Sequence, residues 1–303
     1  MTWIASAELA AAVSNAGGLG TISPNAGMRL EDDVVANLRA QIVKAKRLTD
    51  KPFAVNLVVF IPGIEELIDV IASEGVEVVT TSAGGPQRHT QRLRSAGLKV
   101  LHLVSSVRQA VTAEDCGVDA VIAEGFEAGG HGGFDELPTM ALVPQVVDAV
   151  GIPVIASGGI ADARGLVAAL ALGAEGVHMG TRFIATRECI AHRAMKEAIV
   201  AATDTGTVVT ARSLSPTRGL RNAFAAQVST MDQRGVTADE LLAFIGIGRA
   251  RMALIDGKVD EGEAYAGAVA GMIRDVTGAG DIVRSMIEGY DDIISSLKMR
   301  SST

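Results

Sequence analysis

The sequence predicts an α/β chain folded as a (β/α)8 TIM barrel that lacks its first strand and carries a small C-terminal helical extension, and three observations carry that prediction. Short β-branched or aliphatic runs alternate with helical stretches, the pattern of a parallel sheet covered by helices. Pro153-Val-Ile-Ala-Ser-Gly-Gly-Ile160 and Gly176-Val-His-Met-Gly-Thr-Arg182 each read as a buried parallel strand ending in glycines, about one βαβ repeat apart. Seven strands are countable where a closed barrel needs eight, and Met1-Thr-Trp-Ile-Ala-Ser-Ala-Glu8 already reads as a loop entering a helix. The expected eighth strand would precede Met1. An open, doubly wound seven-stranded sheet fits the same count.

In chain order, the strands are expected at residues 18–23, 53–59, 76–82, 99–105, 120–125, 153–159 and 176–182. Helices are expected over 7–16, over 65–73 ending at Glu74-Gly75, and over 163–172 with Asp162 as N-cap and Gly173 as C-cap. After Arg182 the strand rhythm stops. From about residue 190 the pattern turns helical, with a polar stretch at 204–222 that reads as a lid or interface loop and a small-residue helix at 262–273. The division expected is therefore a barrel core over 1–190, with a lid segment and packed C-terminal helices over 191–303.

Composition narrows the function. With 303 residues, 48% of them hydrophobic and only 3% aromatic, the chain can bury a large aliphatic core. A formal charge of −8 without a lysine or arginine run argues against a nucleic-acid or membrane-surface partner. Cys116 and Cys189 match no metal-ligand spacing and neither has a Cys-x-x-Cys partner, so free thiols in a reducing compartment are expected. No signal peptide and no uninterrupted apolar run of spanning length is present, so the expected location is cytoplasmic. His89, His102 and His192 are too far apart in pattern to suggest a metal, and no metal site is expected.

Two segments carry chemistry. Adjacent strand ends can close on a phosphate group because Gly158, Gly159 and Gly180 have no Cβ to hold an anion away from their backbone N–H groups, and in a barrel the last two strands are the usual place for this. The bland reading is that these glycines only let a helix sit close to a strand. Between the fifth and sixth strands lies Ala123-Glu-Gly-Phe-Glu-Ala-Gly-Gly-His-Gly-Gly133. Four glycines around His131 leave it unobstructed at a strand end, which a core histidine would not need, and imidazole suits proton transfer near neutral pH. Glu124 and Glu127 can orient the histidine or bind a hydroxyl, and a plain surface role fits Glu127 as well. His178 falls on one face of its strand, inside the barrel or out.

These blocks, Met1 to Gly20, Glu124-Gly-Phe-Glu-Ala-Gly-Gly-His131 and Pro153 to Phe183, resemble the nitronate monooxygenase (2-nitropropane dioxygenase) family of FMN-dependent TIM-barrel enzymes over nearly the whole chain. The resemblance implies an FMN phosphate held by Gly158, Gly159, Gly180 and Thr181, Asn56 beside the flavin ring, and His131 as catalytic histidine. The expected cofactor-binding set is completed by Glu124, Gly129, Gly130 and Ser157. In that family a methionine-bearing turn precedes the first helix, and Met1 stands in its place. The activity implied is oxidation of alkyl nitronates with O2. The same family includes flavin-dependent enoyl-acyl-carrier-protein reductase II and NAD(P)H:quinone reductases, with NADH or NADPH as reductant; Val78 to Pro86 and the tail from Gly257 resemble that branch. An inactive flavin-binding protein is the third alternative. The implied partner is a small molecule, a nitronate, enoyl thioester or quinone, and a homodimer is left open.

Overall fold

The fold was examined in a computed structural model that describes residues 1–61 and 63–301. Its elements follow in order: α1 (Ala7–Asn15), β1 (Gly20–Ile22), α2 (Val34–Leu48), β2 (Phe53–Val58), α3 (Ile64–Ser73), β3 (Val78–Ser82), α4 (Thr90–Ser95), β4 (Lys99–Val104), α5 (Val107–Asp115) and β5 (Ala120–Glu124). Then come β6 (Gly130–His131), α6 (Thr139–Val147), β7 (Val154–Ser157), α7 (Ala163–Ala171), β8 (Gly176–His178), α8 (Thr181–Ile184) and α9 (Arg193–Val200). The chain closes with β9 (Thr207–Thr210), β10 (Thr217–Leu220), α10 (Ala223–Arg234), α11 (Ala238–Ile245), α12 (Arg249–Leu254) and α13 (Ala279–Ser301).

Seven strands form one parallel sheet in the order β1-β2-β3-β4-β5-β7-β8, as the strand count from the sequence expects. β1 and β8 are its two edges. One side of this curled sheet is closed under the helices: Val55, Leu57, Val79, Val100, Val121, Ala123, Val154 and Ala156 are all buried there. Of the alternate residues that face the hollow of the sheet, Asn56, Val58, Leu101, Leu103, Glu124, Ile155 and His178 are half-buried, while Ala54, Thr80, Ile122 and Ser157 are buried. That difference in burial marks the hollow, not the helix-covered side, as the place with room for a ligand. The helix ends are as read: the Asp162 side chain accepts from Arg164 N, and Gly75 and Gly173 follow their helices with φ of 64° and 93°.

Three expectations are corrected. The last strand ends at His178, and Thr181–Ile184 turns into α8 instead of extending it. The 204–222 stretch is not a loop but the hairpin β9–β10, which adds β6 to make a three-stranded antiparallel sheet in the order β6-β10-β9. Residues 262–273 form no α-helix; a short 3₁₀ turn spans Ala268–Met272 and Tyr265 bridges Gly219. Its glycines serve close backbone approach instead: a Cβ on Gly262 would lie 2.6 Å from Arg249 O, and one on Gly267 2.7 Å from Glu127 O. The strand expected ahead of the first helix lies outside the described residues.

No helix among the described residues is long and apolar enough to cross a membrane. Nor do the described residues hold a group of three or more His, Cys, Asp or Glu side chains placed for a metal ion.

Candidate active site

The strand ends set two arrays side by side. In the hollow, register aligns Glu124, Ser157 and His178 on β5, β7 and β8. Ser157 Oγ lies 3.4 Å from Glu124 Oε2 and 3.3 Å from His178 Nδ1. Burial pushes the Glu124 carboxyl up to about 7 against the pull of the Met1 amino group, and pushes His178 down to about 4. Across the hollow, Asn56 Nδ2 donates to Thr80 Oγ1 at 3.0 Å and Thr80 O at 3.3 Å, with Ser82 Oγ 3.4 Å away. A polar belt thus lines the inner rim.

Immediately beyond β7, Gly158 and Gly159 both take left-handed backbone, with φ of 91° and 72°. A Cβ on Gly158 would meet Gly125 O at 2.7 Å, so only glycine fits this turn. Beyond β8, the Cβ direction of Gly180 is open apart from the Met1 side chain at 3.7 Å. Thr181 Oγ1 accepts from Gly267 N at 2.8 Å and keeps its own hydrogen to donate. Two bare glycine turns and a hydroxyl make a donor set that fits an anionic phosphate.

His131 is the second array. It sits on β6 opposite Thr217 of β10, so the hairpin, not the barrel, sets its position. Thr217 Oγ1 is 2.9 Å and Ser215 Oγ 3.2 Å from Nδ1, while Tyr265 Oη is 3.4 Å from Nε2. These walls lower the His131 pKa by desolvation although the residue as a whole stays exposed. Glu127 does not reach the histidine. Its carboxylate accepts from Thr139 N at 2.9 Å and Thr139 Oγ1 at 3.0 Å, and Thr139 Oγ1 in turn reaches Gly158 O at 3.0 Å. The surface acid is therefore a strut between the His131 loop and the glycine turn.

The expected residues fall into groups. Asn56, Glu124 and Ser157 share the rim; Gly158, Gly159, Gly180 and Thr181 share the turns. Gly130 pairs with Arg218, and Gly129 faces the tail, where a Cβ would lie 2.5 Å from Gly267 N. Sequence reading missed Ser215, Thr217, Glu263 and Tyr265. The available signal was Tyr265 itself, one of two tyrosines in a chain poor in aromatics, two residues after an acid. Two hydrogen bonds join the arrays: the segment carrying Tyr265 continues to Gly267, bonded to Thr181, and Ala268 N donates to Glu127 O at 2.9 Å.

The family model for nitronate monooxygenase matches residues 1–66 and 60–289. This chain belongs to that family. It is an enzyme, a flavin-dependent oxidoreductase. A probable nitronate monooxygenase of Staphylococcus saprophyticus is 39% identical over 271 residues, 74% of this chain and 75% of the relative. A (3aS,4S,5R,7aS)-5-hydroxy-7a-methyl-1-oxo-octahydro-1H-indene-4-carboxyl-CoA dehydrogenase of Mycobacterium tuberculosis is 35% identical, covering 95% of this chain and 90% of its own. Among solved structures, FabK of Thermotoga maritima superimposes with a TM-score of 0.90 at 40% identity over 99% of this chain and 93% of that one. Nitroalkane oxidase of Streptomyces ansochromogenes reaches 0.82 at 28% identity over 97% and 94%. The chain is thus similar to a nitronate monooxygenase, a nitroalkane oxidase and a dehydrogenase alike.

Proposed function

We propose that this chain is an FMN-dependent, nitronate monooxygenase-like enzyme that oxidises alkyl nitronates with O2. One observation carries the reading: the segment from Glu263 to Ala268 ties His131 to Thr181, so a proton-handling group and a phosphate-sized cradle form one site. Gly158, Gly159, Gly180 and Thr181 would hold the phosphate through N–H and O–H donors. Asn56, Glu124 and Ser157 line the rim that would receive the rest of the cofactor, and Gly129 and Gly130 would shape the loop beside it. A mononucleotide suits a single cradle, and the sequence has no Gly-x-Gly-x-x-Gly turn followed by a ribose-binding acid that would call for a dinucleotide.

When bound, FMN supplies the redox chemistry and the protein supplies placement. A nitronate has already lost its α-proton, so His131 would act on the neutral nitroalkane, taking the proton from its α-carbon to form the nitronate that is oxidised. Its pKa lies below the ordinary value, so the neutral imidazole, the form able to act as a base, persists to lower pH than in a free histidine. Thr217 and Ser215 fix the ring from behind at Nδ1.

The FabK superposition across 99% of the chain favours a second reading, NAD(P)H-dependent reduction of an enoyl thioester or a quinone, with His131 as proton donor. Anaerobic flavin bleaching, tested in parallel with NADH, NADPH and an alkyl nitronate, separates the two. Bleaching by the nitronate and nitrite release in air support the first reading. Rapid bleaching by a pyridine nucleotide overturns it in favour of the second, and FMN that responds to none of the three overturns both.

A further inference from the structure

Behind His131 stands a half-buried pair that neither reading uses. Tyr265 Oη donates to Glu263 Oε2 at 2.9 Å and lies 3.4 Å from His131 Nε2, the two rings meeting edge-on with centroids 5.7 Å apart. On the opposite side of the imidazole, Thr217 donates its hydrogen to Ser215 O at 2.8 Å while its oxygen sits 2.9 Å from Nδ1. Each hydroxyl has one hydrogen. With those hydrogens spent on Glu263 and on Ser215 O, both oxygens turn acceptor faces to the ring. Ser215 Oγ, 3.2 Å from Nδ1, can donate its hydrogen there, so the imidazole is held best with a proton on Nε2, whether Nδ1 carries one or not.

The other charged groups nearby are engaged elsewhere. Arg249, whose charge acts on the Glu263 carboxyl, donates to Ile245 O and Glu261 O; Arg218 of β10 donates to Phe126 O at 3.1 Å, Arg212 of the β9–β10 turn pairs with Glu136 at 2.6 Å, and Glu127 is bound to Thr139. Glu263 and Tyr265 also line a small cavity with Thr210, Thr217 and Asn222. Glu263 is therefore the acid that couples to His131, and it does so only through Tyr265.

We propose that Tyr265 and Glu263 form a positioning pair that keeps a proton on Nε2 of His131, Glu263 turning the phenol oxygen into an acceptor for that N–H. The pair opposes the desolvation that drives the proton off, and it sets the pH range in which the histidine can both take and give a proton. This rests on His131 as the proton-transfer group, and the test keeps the two claims apart.

The histidine ring nitrogens are followed by ¹⁵N NMR across pH in the purified protein, its Tyr265→Phe and Glu263→Ala variants, and a His131→Gln variant that assigns the resonance. Both substitutions should lower the His131 titration midpoint by about half a pH unit or more, while the His102 and His178 signals stay in place. The same displacement should appear in the pH profile of kcat/KM. An unmoved His131 midpoint in folded Tyr265→Phe protein overturns the pair. Should that variant unfold, Glu263→Ala carries the test, since it removes the acceptor of the phenol hydrogen; an unmoved midpoint there has the same force. Undiminished turnover in His131→Gln would instead sink the catalytic role of the histidine and leave the NMR result to stand alone.

Discussion

At the scale of single residues, His131 decides most. Replacing it with Gln should leave FMN bound and lower turnover by about 10²-fold or more, the usual worth of a positioned acid or base. Steady-state rates on flavin-loaded protein check this, and unchanged turnover would remove the residue from the mechanism. Because burial sets its pKa below the ordinary 6.5, a base role gives turnover that rises with pH along a limb below 6.5 and is flat above it. A proton donor gives the reverse, with the rate falling as the pH rises past that limb. The pH profile therefore reports which side of the chemistry limits the enzyme. His131 was legible from the sequence because glycines crowd a lone histidine at a strand end. Its partners were not: Tyr265 lies 134 positions away and Thr217 lies 86, and no local pattern joins residues so far apart.

At the scale of elements, two glycine-bearing segments cross almost in contact, and this crossing joins the histidine to the phosphate turns. A Cβ on Gly267 would lie 2.7 Å from Glu127 O and 3.1 Å from Gly129 N, atoms of the backbone that cannot swing aside. Gly267→Ala should thus cost about 1–3 kcal/mol, the usual range for overpacking, and should weaken FMN retention by shifting Thr181. Thermal melting and flavin content after desalting measure both effects; a variant as stable and as well loaded as the parent would show that the crossing has slack. The main-sheet strands were readable because buried parallel strands are continuous aliphatic runs. The second sheet was not, because β6 has two residues, β9 and β10 have four each, and such short strands show little alternation. Residues 262–273 misread as a helix because small residues suit helix packing and backbone crossings alike.

At the scale of the whole molecule, the stability should weaken in acid for a reason that can be assigned. His102, buried under the helices and 2.7 Å from Thr81 Oγ1, has its pKa pushed from 6.5 down to about 4 by burial. The unfolded chain takes up that proton first as the pH falls, so its contribution is complete above 6.5 and is lost as the pH drops toward about 4, a loss of about 3 kcal/mol. Glu124 acts in the opposite sense, since a carboxyl raised to about 7 favours the folded state at low pH and loses that contribution as the pH rises through 7. His102→Gln should flatten the fall in melting temperature between pH 6.5 and 4, and an equal slope in both proteins would contradict the assignment. The central claim, that the two glycine turns form the cradle of an FMN-dependent oxidoreductase, has a direct test in FMN titration by fluorescence quenching of the parent and of Gly180→Val. Saturable binding of one FMN per chain, preferred over FAD and weakened at least tenfold by the substitution, is the expected result. Equal FMN affinity in the two proteins would place the phosphate elsewhere and contradict the claim.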